Sequence, residues 1–159
     1  MNLYEEFFAV IGALNKLGAR YAVVGGIAMA FHGRPRFTRD IDILIMPGDL
    51  EIVRGAFARL GFERLAPPWT FRKADLTLHR LVKIEGKEEL ALDVILANAA
   101  EYQQMISNAV QAKSQSGLVR VATKKDIVRM KQIRNSDQDK VDIRELENDQ
   151  DRKGRQNRE

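Results

Sequence analysis

Two aspartates spaced by one residue open the run Asp40-Ile41-Asp42-Ile43-Leu44-Ile45. In a strand, side chains alternate between faces, so both carboxylates project to one side while Ile41, Ile43 and Ile45 cover the other. Neighbouring carboxylates repel, and the arrangement is costly unless a cation lies between them. Hard divalent ions such as magnesium take carboxylate oxygens and are commonly completed by substrate phosphates. A third acid, Asp93, is the only charge in the apolar run Leu90-Ala91-Leu92-Asp93-Val94-Ile95-Leu96. An ionised side chain there is expensive to bury unless it is paired or bound to metal. Pairing with an arginine, Arg36 being the candidate, competes with metal binding as the use of Asp93.

Basic and glycine-rich residues lie close to the first two acids. Tyr21 to Val24 is an apolar run of strand length that stops at Gly25-Gly26, and Ile27 to Phe31 follows with helical composition. Glycines at a strand-to-helix turn allow close backbone approach, and free N–H groups at a helix start can hold a phosphate. Arg34, Arg36 and Arg39 surround Pro35 and Thr38 just before Asp40. They read either as solvated loop charges or as contacts to a triphosphate, whose oxygens suit a guanidinium fork. His32 follows the apolar helix and precedes Gly33, so capping or packing is expected of it rather than catalysis.

The elements that must position these residues can be read in order. Apolar residues at Leu3, Phe7, Phe8, Val10, Ile11 and Leu14 have helical spacing, and Gly18 closes that helix. Asp49 is the expected N-cap of a helix from Leu50 to Leu60. Phe62 to Ala74 is the least readable stretch, with Pro67-Pro68 marking a loop. Its aromatics Trp69 and Phe71 either cover the end of the sheet, the preferred reading, or stack a base. Leu76 to Ile84 is a strand of imperfect alternation, and Glu85-Gly86-Lys87 is a hairpin turn into the strand that holds Asp93. The spacing predicts a helix over Ala99 to Ala112 and a polar linker over Lys113 to Gly117. A short strand from Leu118 to Ala122 should follow, then a helix from a Thr123 cap through Arg134, and a last helix from Lys140 to Leu146.

Composition sets outer limits. The chain has 159 residues, enough for one domain with a real core, here residues 1–148: a sheet-and-helix part over 1–112 and a helical segment over 118–148. Residues 149–159 carry no apolar side chain and are expected to be a disordered polar tail. There is no cysteine, which excludes disulfides, thiolate nucleophiles and zinc–thiolate sites. Glu5 and Glu6 stand where a secretory signal would be basic, and no apolar run is long enough to span a bilayer, so a cytoplasmic location and no membrane partner are expected. The net charge of +4 and a pI near 9.5 permit an anionic partner and equally suit plain solubility.

Gly25-Gly26, a spacer, and Asp40-x-Asp42 between apolar residues together resemble the signature of the DNA polymerase beta-type nucleotidyltransferase superfamily. Arg36-x-Thr38-x-Asp40-Ile41-Asp42 is similar to a small bacterial branch linked to abortive phage infection and toxin–antitoxin pairs. Met130-Lys131 followed by Asp139-x-x-Asp142-Ile143 resembles that branch's closing pattern, although Ser136 stands where an arginine is often found. The resemblance implies an α+β, two-layer nucleotidyltransferase fold, a small mixed sheet flanked by helices with a helical C-terminus. It implies a nucleotidyltransferase that uses Mg2+ or Mn2+ to move a nucleoside monophosphate from a nucleoside triphosphate such as ATP to a hydroxyl. Asp40, Asp42 and Asp93 would be the metal ligands and catalytic groups, and Gly25, Gly26, Arg36, Thr38 and Lys131 would bind the nucleotide. The acceptor would be a tRNA, a protein or a small molecule, and the chain would be a toxin with a cognate antitoxin or a phage-defence enzyme. The alternative is a module of the same fold that binds a nucleotide or a partner without turnover.

Overall fold

The computed structural model describes residues 1–71, 74–114, 116–134, 141 and 143–148. Its strands are β1 (Tyr21–Val24), β2 (Asp40–Ile45), β3 (Glu63–Arg64), β4 (Trp69–Phe71), β5 (Leu76–Glu85), β6 (Glu88–Ala97), β7 (Val110–Ser114) and β8 (Gly117–Val121). The helices are α1 (Leu3–Leu17), α2 (Gly25–Phe31), α3 (Leu50–Arg59), α4 (Ala100–Asn108) and α5 (Lys124–Arg134). All the strands belong to one mixed sheet of order β3-β5-β6-β2-β1-β8-β7, with β4 paired to β5.

The centre of the sheet is dry for a reason visible in its residues. β2 runs antiparallel to β1 and parallel to β6, so Ile43 lies between Val23 and Val94. A strand with neighbours on both sides has no polar edge to solvate, and Ile41, Ile43, Leu44 and Ile45 are fully buried. Phe7, Val10, Ile11 and Leu14 of α1 and Val53 and Phe57 of α3 close over the core at helical spacing. Asn2 caps α1 by accepting from the amides of Tyr4 and Glu5, and Gly18 ends it at φ 65°, a conformation glycine adopts without Cβ strain. Lys83 on β5 donates to both carboxylate oxygens of Glu6 at 2.9 Å, which fixes α1 to the far strands.

Several sequence expectations need correction. The helix expected over Ala99 to Ala112 stops at Asn108, because Val110-Gln111-Ala112-Lys113-Ser114 alternates with period two and pairs antiparallel with β8. Lys113 and Ser114, expected in a polar linker, pair with Leu118 and Gly117 in that hairpin, and Gln115 lies outside the described residues. Asp49 makes no side-chain cap to α3. Pro47–Asp49 coils into a 3-10 turn, leaving Asp49 at φ −91° and ψ −2° instead of the extended backbone a cap needs. Pro67-Pro68 does lie in a loop, and the stretch around it, which the sequence left unassigned, carries β3 and β4, both paired to β5. Thr123 does cap α5, accepting from the Asp126 amide at 3.1 Å. Residues 143–148 are helical, with Leu146 buried. Lys140, Asp139, Asp142, Ser136 and the expected tail over 149–159 lie outside the described residues.

Two outcomes test this packing. Ile43→Ala should lower the unfolding free energy by roughly 2–5 kcal/mol in denaturant titration with an unchanged slope, the usual cost of a buried cavity. His79 is buried on β5, and its Nδ1 has no hydrogen-bond partner among the described residues. Burial lowers its pKa, the charges of Arg54 and Arg64 push the same way, and Glu51 opposes them. The unfolded chain therefore takes up this proton near pH 6.5 and the folded chain only at lower pH. Stability from this group is complete above that value and is lost as pH falls through it. Thermal melts taken downward from about pH 8 should show the decline, and His79→Leu should flatten it.

Candidate active site

The register of the central strands assembles the acids. Asp42 on β2 stands opposite Val24 on one side and Asp93 on the other, and Asp93 stands opposite Arg80 of β5. Directly opposed residues share a sheet face, so Val24, Asp42, Asp93 and Arg80 form a row across the strands, with Asp40 on the same face further along β2. Asp93 is buried at 3% exposure, as its solitary place in an apolar run foretold.

Its partner was not foreseen. Arg80 forks onto Asp93, donating from Nε to Oδ1 and from Nη2 to Oδ2 at 2.8 Å each. The same Nη2 lies 3.7 Å from Asp40 Oδ2. The arginine pairing considered for Asp93 therefore exists, but with Arg80 and not Arg36. The hydrogen bonds it donates to Asp93 raise the Arg80 pKa far above its ordinary value against the cost of burial, and the charges of Asp93, Asp40 and Asp42 add to the rise. A sequence signal for Arg80 existed: pairing outward from the Gly86-Lys87 turn, Glu85 meets Glu88 and Arg80 meets Asp93. The sequence reading of that strand assigned Arg80 no role.

The glycine pair is explained from the other side of the row. Gly25 has φ 70°, and a Cβ there would fall 2.0 Å from Asp42 Oδ2. A Cβ on Gly26 would meet Thr38 Oγ1 at 2.7 Å. Asp42 and Thr38 can hold their places only because neither glycine has a side chain. The Thr38 hydroxyl in turn lies 3.4 Å from the Asp40 carbonyl oxygen.

These residues surround a cavity of about 810 Å3, the size of a small-molecule site. Asp40, Asp42, Asp93 and Arg80 line it together with Gly25, Arg36, Thr38 and Lys131; Gly26 lies behind the wall. Lys131 is nearly fully buried, on α5, far from the acids in sequence but lining the same cavity. Trp69 and Phe71 also line the cavity, stacked at 5.4 Å between centroids and 13° between planes, with Trp69 65% exposed. They belong to β4, paired to β5, and they also form part of the cavity wall. Arg72 and Lys73 beside them lie outside the described residues. His32 serves packing: it ends α2, and its Nε2 lies 2.7 Å from the Ala122 carbonyl. Within the basic stretch from Lys113 to Arg134, Arg120 donates to the Ile106 carbonyl, Arg129 pairs with Glu101, and Lys131 is buried.

The donor set suits a divalent cation on the β2 side of the site. Asp40 and Asp42 offer hard oxygens from one strand face at the cavity wall, while both Asp93 oxygens accept from Arg80. No three His, Cys, Asp or Glu side chains among the described residues form a ready metal cage. Magnesium is usually held by one or two carboxylates with substrate phosphates supplying the rest, so Asp40 and Asp42 fit that mode.

The fold is that of the nucleotidyltransferases. The lincomycin-bound lincosamide adenylyltransferase LnuA superposes with a TM-score of 0.61 at 14% identity, over 90% of this chain and 95% of that one. A candidate nucleotidyltransferase from Thermotoga maritima, TM1012, gives 0.58 at 11% identity over 100% and 97%. ANT(2'')-Ia in complex with adenylyl-2''-tobramycin gives 0.52 at 18% identity over 77% and 70%. No family model matches the chain, and no curated protein matches it in sequence. Among the described residues, no helix is long and apolar enough to cross a membrane.

The glycine geometry supplies a test. Gly25→Ala should push Asp42 out of the row and lower the unfolding free energy in denaturant titration by more than Gly33→Ala does. Gly33→Ala shares a positive φ, 77°, but meets nothing within 4 Å, so it should cost only about 1–2 kcal/mol of stability.

Proposed function

We propose that this chain is a metal-dependent nucleotidyltransferase that moves a nucleoside monophosphate from a nucleoside triphosphate to a hydroxyl. The observation that supports this reading is the convergence of Asp40, Asp42 and Asp93 on one wall of a cavity that also holds Arg36, Thr38 and buried Lys131. Acids and cations around one cavity suit a substrate that brings both a metal ion and phosphates.

In this reading Asp40 and Asp42 hold Mg2+ or Mn2+, which when bound offsets triphosphate charge and polarises the phosphoryl group. Arg36 and Lys131 set positive charge against the phosphate oxygens, and the Gly25-Gly26 turn lets its backbone come close. Thr38 keeps the Asp40 end of β2 in position through its backbone contact. Asp93 faces the acceptor, where a carboxylate within hydrogen-bond reach orients the attacking hydroxyl and takes its proton. The hydroxyl oxygen forms a bond to the α-phosphorus, the bond from that phosphorus to the bridging oxygen breaks, and pyrophosphate leaves with the electron pair.

Three acceptors fit this chemistry: the end of a tRNA, a protein hydroxyl, and a small alcohol such as the drugs named with LnuA and ANT(2'')-Ia. An RNA or protein acceptor would accord with a toxin kept in check by a cognate antitoxin. Incubation with α-labelled nucleoside triphosphates, Mg2+ or Mn2+, and a cell extract should move label onto one of these classes. Asp42→Asn, folded by circular dichroism, should lower the transfer by at least ~1,000-fold. Metal-dependent nucleotide binding with no labelled product would favour the alternative, a binding module of the same fold.

A further inference from the structure

We infer that Arg80 supplies, as a fixed part of the protein, the positive charge on the Asp93 side of the site, so that the chain takes up one divalent ion with its nucleotide and not two. The inference rests on the nucleotidyl-transfer reading and concerns a residue that the reading does not use.

Three observations carry it. The first is position: the β5–β6 register sets Arg80 opposite Asp93, in the row that continues to Asp42. A residue in that row faces the cavity by construction, and Arg80 is on its wall. The second is geometry. Both oxygens of Asp93 accept from the guanidinium at 2.8 Å, while Nη2 lies 3.7 Å from Asp40 Oδ2. One planar cation therefore spans acids on two neighbouring strands, the arrangement a shared ion would otherwise provide. The third is burial. Asp93 is 3% exposed, so a carboxylate stripped of water at this depth needs its partner in every state of the site. An ion seated on Asp93 would have to break a forked pair and leave the guanidinium beside a second cation.

Asp93 keeps its remaining lone pairs for an acceptor hydroxyl, because each carboxylate oxygen can accept more than one hydrogen bond. Arg80 is thus a positioning residue. It fixes the plane of the Asp93 carboxylate and supplies charge that does not depend on the concentration of free metal.

Counting ions tests this without reference to turnover. The full chain would be titrated with Mn2+ in the presence of a nucleoside triphosphate analogue whose α–β bridge resists cleavage, and bound manganese read by electron paramagnetic resonance. The wild type should bind one ion per chain. Arg80→Ala, checked for folding by circular dichroism, should bind two, and adding Asp93→Asn to it should return the count to one. Two ions in the wild type, or one in a folded Arg80→Ala, would overturn the inference and leave nucleotidyl transfer standing. No nucleotide-dependent manganese in any form would overturn the transfer reading and the inference with it. The wild-type count stands by itself should the variant fail to fold.

Discussion

Negative charge concentrated at the middle of a sheet is the constraint on which the other features of this structure depend. Asp42 and Asp93 are direct neighbours across two parallel strands, and Asp40 shares their face. Two unit charges about 5 Å apart repel by roughly 3 kcal/mol at an effective dielectric of 20, and nearby Asp40 adds to this. A strand centre cannot move its side chains away to relieve such repulsion, since register fixes where they point. Positive charge has to be brought to the acids. Arg80 comes from the neighbouring strand, and Lys131 and Arg36 reach the same cavity from α5 and from the turn before β2.

Supplying that charge sets the local folding rules around the site. The turn after β1 must carry no side chain, because Asp42 Oδ2 occupies the place where a Cβ of Gly25 would be. The next residue is bare for the same reason with respect to Thr38. Ile41 and Ile43 must be apolar because their face is sealed by helices while the aspartate face is open to the cavity. The apolar core beneath is what holds the charged row in register. Burial supplies most of the stability, and the site then uses some of it to keep like charges together.

Much of this was legible in the chain, and the rest was hidden for identifiable reasons. The α1 helix, the β1 strand, the Asp40–Ile45 strand and the burial of Asp93 follow from periodicity and glycine placement, which are local signals. The short strands β3 and β4 exist through long-range pairing to β5, and strands so short leave almost no periodic trace. The first residues of β7, Val110 to Ala112, were read as helix because they continue an apolar spacing that suits either structure. Its partner β8 decides the matter. Arg80 belongs to the same class as β3 and β4: its meaning comes from a cross-strand partner. Unlike them it could have been found, since a tight turn at Gly86-Lys87 fixes every opposed pair in the hairpin.

A resident guanidinium and an exchangeable ion solve the same charge problem with different consequences. An ion leaves with its ligand and carries variable coordination, so a site built on two ions is assembled afresh with each substrate. Arg80 is anchored by backbone register and by two hydrogen bonds, so its share of the charge does not depend on a ligand. Preorganised charge costs little reorganisation at the moment of reaction, which is where electrostatic catalysis gains most. The cost falls on flexibility: a forked pair fixes one carboxylate plane, and in the proposed reaction the acceptor would have to present its hydroxyl to that plane. Trp69 and Phe71, stacked on the cavity wall that β4 adds beside β5, lie where an acceptor with a flat or apolar face would find that orientation. The strand that carries Arg80 thereby also carries, through β4, the surface against which the acceptor would be aligned.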